Sequence, residues 1–357
     1  MDPGDESAMT KGSLMTHEAT QAEMMARLVR YSELRPCTTA FIDTGSPGSD
    51  RKENFTIIGP GVAESPEQFV HIRARHGFNI GGARQPPGCV NSQHSHETAE
   101  VFVVHTGRWR FRTGPDGLGS FVDLGPGDTI SIPTRVFRGF ENVGTETGFM
   151  FAVLGGDDPG RVTWAPYVFE AAARHGLVLL DSGRLVDSRR EQLPADAKSV
   201  VPTSKADLAA FRSIDTAALR ACVVPAADLV PGGGLSGVKG FEECPIVGVA
   251  NSAEHMPAGR MGWSHAFQVR ALRIATGSRS PPHSRAEEEV LLVHAGRLSI
   301  EWRGGRLELA PGDTLTVPTG LERSYGNASA DDAVVYVVRG GDHPTPAVWA
   351  PAASRVG

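Results

Sequence analysis

Gly88, five residues, His94-Ser95-His96, three residues, Glu100, six residues and Gly107 form a pattern that this chain carries twice. The second copy is Gly277, five residues, His283-Ser284-Arg285, three residues, Glu289, six residues and Gly296. From His94 to His283, and from Glu100 to Glu289, the step is 189 residues. Downstream, Gly127, Pro133, Arg138 and Asn142 recur as Gly312, Pro318, Arg323 and Asn327 at a step of 185. Trp164-Ala165-Pro166 returns as Trp349-Ala350-Pro351 at that same step. A repeat this regular marks a duplicated structural unit.

The rest of the 357-residue chain accommodates that reading. The length suits two domains and a connection. Its 42 glycines and 25 prolines, spread throughout, suit many short strands joined by tight turns. A formal charge of −6 with interleaved signs offers no basic stripe, which argues against a nucleic-acid partner. No run approaches the roughly 18 apolar residues of a membrane span. The acidic first residues lack the apolar core of a secretory signal, and Met15 is an equally good start, so residues 1–14 are set apart as a leader. Cys37, Cys89, Cys222 and Cys244 form no CxxC pair and fit reduced thiols in a cytoplasmic protein.

Periodicity predicts a helical segment over 17–31, then coil. Strands are expected over 69–80, 100–104, 109–112, 129–132 and 149–154, and in the second copy over 267–274, 289–293, 298–302, 314–317 and 333–338. Between the copies, 168–175 and 205–219 have helical character, the second with Thr203 or Ser204 as N-cap, and 181–198 is a charged loop.

The duplicated pattern resembles the cupin family. Its first motif, G(X)5HXH(X)3–4E(X)6G, is met in full by residues 88–107. Of the second motif, G(X)5PXG(X)2H(X)3N, residues 127–142 keep Gly127, Pro133 and Asn142. Arg135 replaces the inner glycine and Arg138 the histidine. The second copy retains Gly320 but again has arginine, Arg323, at the histidine position. The resemblance implies a mainly β chain of two tandem cupin jelly-roll barrels, a bicupin, with a short helical N-terminal arm (1–54). The first barrel would span 55–166 and bind metal. A helix-containing connection would cover 167–235, and a second barrel without metal 236–351. In length and layout the chain is similar to gentisate-type ring-cleaving dioxygenases, although those use three histidines.

On a strand, alternate side chains share a face, so His94 and His96 point the same way. The cupin resemblance brings the Glu100 carboxylate to the same point. Two imidazoles and a carboxylate suit one divalent ion, Fe(II) foremost and Mn, Ni or Zn as alternatives. Arg138 cannot ligate, because a guanidinium has no free lone pair. It is expected either to clamp an anionic substrate or to pair with Glu100. His76, repeated as His265, is a candidate proton-transfer group or an architectural residue. His105, repeated as His294, reads as structural. Phe102, Val104, Trp109 and Phe111 are candidate cavity walls, and Cys89 a buried packing thiol. In the second copy Arg285 should pair with Glu289, leaving an anion pocket as the residual alternative.

The leading functional expectation is an Fe(II) dioxygenase acting on a small anionic aromatic or enolic carboxylate. A Mn-, Ni- or Zn-dependent isomerase, lyase or decarboxylase, and a non-catalytic binding module, stay open beside it. Bicupin resemblance and the N-terminal arm imply a homo-oligomer.

Overall fold

The computed structural model describes residues 17–351; the leader set apart over 1–14 lies outside them. Each copy of the repeat folds into two sheets facing each other. In the first, the larger sheet runs Val223–Val224, Thr129–Ile130, Glu100–Thr106, Gly148–Gly155, Phe78–Gln85, Glu53–Ile58 and Val70–Ile72. The smaller runs Thr163–Trp164, Val90–Ser95, Arg138–Asn142, Trp109–Thr113 and Phe121–Leu124. The second copy repeats this layout, with a six-stranded sheet centred on Ala333–Gly340 and a five-stranded sheet containing His283–Ser284.

Strand alternation explains how the larger sheet is buried on both faces. Along Gly148–Gly155, Met150, Ala152 and Leu154 enter the core of the first barrel. Phe149, Phe151 and Val153 point the other way, into a core shared with Phe267, Val269, Tyr336 and Val338 of the second barrel. The two barrels therefore pack through the outer faces of their large sheets, and a strand buried on both faces is apolar along its whole length. Trp109–Thr113, in the smaller sheet, alternates buried and half-buried positions because its outer face meets solvent.

Two histidines pin this interface reciprocally. His76 Nε2 lies 2.6 Å from Thr316 Oγ1 and 2.6 Å from Glu288 Oε2 of the second barrel. His265 Nε2 lies 2.7 Å from Ser131 Oγ of the first. His76 thus faces the other barrel and does not line the His94–His96–Glu100 cavity, which corrects its candidacy as a proton-transfer residue. The position recurs because both halves use it in the same inter-barrel bond. His105 and His294 also meet there, with ring centroids 5.5 Å apart. Burial, with His294 second, holds the His105 imidazole down to about 4.

The connecting segments are exchanged between barrels. Leu28–Val29 of the N-terminal arm pairs with Thr314–Val317 of the second barrel. Val223–Val224, at the end of the connection, pairs with Thr129–Ile130 of the first. The helix expected over 17–31 shrinks to Gln21–Met25, opened by a Thr20–Glu23 capping box, because the following residues are taken up by strand pairing. The expected 205–219 helix is two short ones, Lys205–Leu208 and Thr216–Ala221, capped by Ser204 and Asp215. The strand expected over 69–80 is split into Val70–Ile72 and Phe78–Gln85 by a turn at Gly77, where φ is +77°. The charged loop contains Leu185–Asp187, which forms a hairpin with Leu177–Leu179. No helix among the described residues is long and apolar enough to cross a membrane.

Candidate metal centre

His94 sits in Val90–Ser95, with Arg138 opposite it on one neighbouring strand and Trp164 on the other. Its Nδ1 donates to the Ser92 carbonyl at 2.8 Å, which leaves the Nε2 lone pair as its ligating atom. The Trp164 ring packs 5.3 Å from the imidazole and restricts its rotation. His96 lies one residue beyond the strand, its ring 5.1 Å from that of His94 and nearly perpendicular to it. Glu100 opens the next strand, Glu100–Thr106. One ligand atom from each of the three lies within 4.8 Å of the others, and all three side chains are buried.

Burial, then the Arg138 guanidinium, holds both imidazoles well below the ordinary histidine range. They are therefore neutral, the form that binds metal. His96 Nδ1 is buried without a hydrogen-bond partner, and its Nε2 stands 3.6 Å from Glu100 Oε2, beyond bonding distance. Two neutral imidazoles and a carboxylate, each offering an atom within 4.8 Å of the others, fit a divalent ion.

Arg138 takes the second of its two expected roles. Its Nη2 donates to Glu100 Oε2 at 2.7 Å, and its side chain is 1% exposed. Glu100 lines the cavity and Arg138 does not, so a direct clamp on the substrate is replaced by an ion pair. A carboxylate has two oxygens, and holding one leaves the other for a metal. With neutral imidazoles, the Arg138–Glu100 pair sums to zero charge. A divalent ion would raise the centre to +2 and draw in an anionic ligand.

Among the expected wall residues, Phe102 lines the cavity. Val104, Trp109 and Phe111 belong instead to the barrel core. Cys89 is buried at the far end of the strand, and all four cysteines are free. Sequence reasoning missed Trp164 as a cavity residue, although its recurrence as Trp349 marked the position. It also missed Glu64, whose oxygens accept from Trp164 Nε1 at 2.6 Å and Ile42 N at 2.7 Å. Burial pushes the Glu64 carboxyl up to about 8, against those two bonds.

In the second barrel the corresponding space is filled with charge. Glu289 accepts from Arg323 at 2.8 Å and from Arg339 at 2.5 Å. Glu243 accepts from Arg339 and Arg270, each at 2.9 Å. Arg270 also reaches Glu254 at 2.8 Å, and Arg285 lies 2.8 Å from the same carboxylate. The expected Arg285–Glu289 pair is present at a looser 3.6 Å. Burial by itself would raise the Glu243 carboxyl, but Arg339 and Arg270 outweigh it and hold it at about 2. Among the described residues, His94, His96 and Glu100 are the only cluster with metal-ligand geometry.

Comparisons with known proteins agree with this architecture. The family profile described as Cupin domain matches residues 83–154 and 271–339, one region in each barrel. No curated protein sequence matches the chain. Among solved structures, the oxalate decarboxylase–formate complex of Lactobacillus farciminis superimposes with a TM-score of 0.56 at 13% identity, over 94% of this chain and 90% of that one. Oxalate decarboxylase from Bacillus subtilis at pH 4.6 gives 0.52 at 13% identity, over 94% and 80%. At such identities the likeness establishes the two-barrel fold alone. The gentisate-type likeness expected from length and layout has no support in these matches.

Proposed function

Because this chain belongs to the cupin superfamily as a two-barrel protein, a bicupin, we propose that it is a metal-dependent enzyme with a single active centre in its first barrel. The reaction is non-oxidative: decarboxylation, lysis or isomerisation of a small carboxylate that carries a second oxygen donor. The observation that carries this reading is the convergence of His94, His96 and Glu100 within 4.8 Å in a buried cavity. The resemblance to solved decarboxylases supports this class over the dioxygenase that the ligand set alone brought forward.

His94 Nε2, His96 and Glu100 would hold the ion, with Mn(II) the first choice and Fe, Ni or Zn as alternatives. Bound there, a divalent ion supplies Lewis-acid polarisation of a carbonyl or carboxylate oxygen. The Ser92 carbonyl and Trp164 keep His94 in its ligating tautomer and orientation. Arg138 is a positioning residue: it holds the Glu100 carboxylate in place from outside the cavity. The apolar walls, among them Phe102, Phe140 and Leu154, keep water from the reacting group.

A specific observation favours a second reading, a metal-free binding module: Glu100 already has a cationic partner in Arg138. Arg138→His separates the two. On the enzyme reading, wild-type protein purified without added metal carries about one equivalent per chain. It then consumes a 2-oxo or 3-oxo acid without oxygen, and Arg138→His binds metal about tenfold tighter by gaining a ligand. No metal in the wild type, with uptake only in Arg138→His, would establish the binding-module reading. Turnover that requires O₂ would restore the dioxygenase.

A further inference from the structure

The cavity of the first barrel does not end at its metal-ligand residues. Gly61, Val62, Ala63, Val162 and Trp164 line an inner chamber of about 80 Å3 and also a second chamber of about 420 Å3. The inner chamber holds His94, His96 and Glu100. The outer one is bordered by the inter-barrel connection, through Phe169, Leu179, Val200 and Val201. The connection is therefore part of the site, although no motif placed it there.

We propose that the two chambers bind one elongated ligand, with a compact anionic head at His94, His96 and Glu100 and an alkyl or aryl tail along the inter-barrel connection. This rests on the metal-dependent reading above and narrows its substrate class. Size supports it: the inner chamber, at about 80 Å3, is much the smaller of the two and suits a compact head, while the outer one, at about 420 Å3, has room for a tail. Charge supports it as well. The inner walls carry no cation that could receive a second carboxylate, since the lining holds no lysine or arginine. In the outer chamber the one cation, Arg161, is bonded to the Asp181 carbonyl, and the one acid, Glu64, faces Trp164 and Ile42. A small dicarboxylate would leave the outer chamber empty and its second charge unpaired.

The contrast with the second barrel supports the same reading. Where the strand pairing places Gly81 and Leu154 beside the cavity, the second barrel has Arg270 and Arg339, which fill the space. The first barrel has kept small and apolar groups where room is needed for a ligand.

The test uses full-length protein with Mn(II) and straight-chain 2-oxo acids of three to ten carbons, with affinity measured by calorimetry. Wild-type affinity should rise about fourfold for each methylene that enters the outer chamber, from about 0.8 kcal/mol per buried methylene. Val162→Trp, at the passage, should remove that rise while leaving the Mn(II) stoichiometry unchanged. Val201 is 86% exposed and tolerates substitution, so Val201→Asp should weaken only the longer acids, by about tenfold, whether or not Val162→Trp folds. A flat response to chain length, no binding by any acid, or equal weakening of short and long acids by Val201→Asp overturns the proposal. Repeating the series without metal keeps the two claims apart. A chain-length response that survives with no Mn(II) uptake upholds the tail chamber and removes the metal chemistry. Uptake with a flat response does the reverse.

Discussion

The two barrels share a frame and differ in what fills it. In both, a histidine Nδ1 bonds the carbonyl two residues earlier, Ser92 in one and Pro281 in the other. In both, a tryptophan packs on that histidine at 5.1–5.3 Å, and an arginine in the family's histidine position bonds the motif glutamate at 2.7–2.8 Å. Around this frame the first barrel has His96, Gly81, Leu154 and Asn54. The second has Arg285, Arg270, Arg339 and Glu243. Three of those exchanges add a guanidinium and one adds the carboxylate that neutralises part of it. The first interior stays open and short of a ligand; the second closes on itself. Buried charge needs partners, and once Arg270, Arg285 and Arg339 are inside, Glu243 and Glu254 must be inside too. A candidate metal-ligand cluster and a salt-bridged core thus occupy the same place in the two barrels.

Metal content is where the contrast should be greatest. His96→Ala should take bound metal from about one equivalent to none, by elemental analysis, while Arg285→Ala leaves the stoichiometry unchanged. Equal loss in both variants would break the asymmetry outright.

Stability should show the opposite bias. Glu289→Gln leaves Arg323 and Arg339 short of a buried anion, and is expected to cost about 3–5 kcal/mol in denaturant unfolding. Glu100→Gln strands only Arg138 and should cost clearly less. A larger loss from Glu100→Gln would mean that the first barrel, too, depends on its ion pair for folding.

A third contrast is in pH dependence, and belongs to the first barrel alone. Glu64 titrates at about 8 in the fold, against an ordinary value of 4.5. Between these values the unfolded chain has lost a proton that the folded protein keeps. The stability linked to Glu64 is therefore complete below about pH 4.5, falls as pH rises, and levels off above about pH 8. Glu64→Gln cannot ionise, so its melting temperature should gain on the wild type across that window. A constant difference between the two would show that Trp164 and Ile42 hold Glu64 ionised throughout.

Much of this was legible in the chain. The spacing of His94 and His96, with Glu100 four residues on, pointed to the residues that the fold brings within 4.8 Å of one another, because strand alternation puts residues two apart on one face. The double occurrence of the motif separated the two barrels, and Arg285 and Arg323 marked the second as poor in ligands. Two assignments needed the fold to decide them. His76 has the same local sequence signal as a cavity residue, yet its strand meets the other barrel, and only the packing of the large sheets shows which face that is. Arg138 could have turned toward a substrate or toward Glu100; its ion pair depends on strands 38 residues apart in sequence. The helices expected over 17–31 and 205–219 were shortened because segments beside them were claimed as edge strands by the barrels, a long-range demand that periodicity does not register.

By itself, then, the sequence determined the two-barrel fold and the chemistry of the donor set, since both rest on residue type and local spacing. The tertiary structure decided which barrel has a cavity, what lies beyond it, and which charges are already paired. Those are properties of volume and contact among residues far apart in the chain: Gly81 against Ala152, Arg138 against Glu100, and the inter-barrel connection against the mouth of the first barrel.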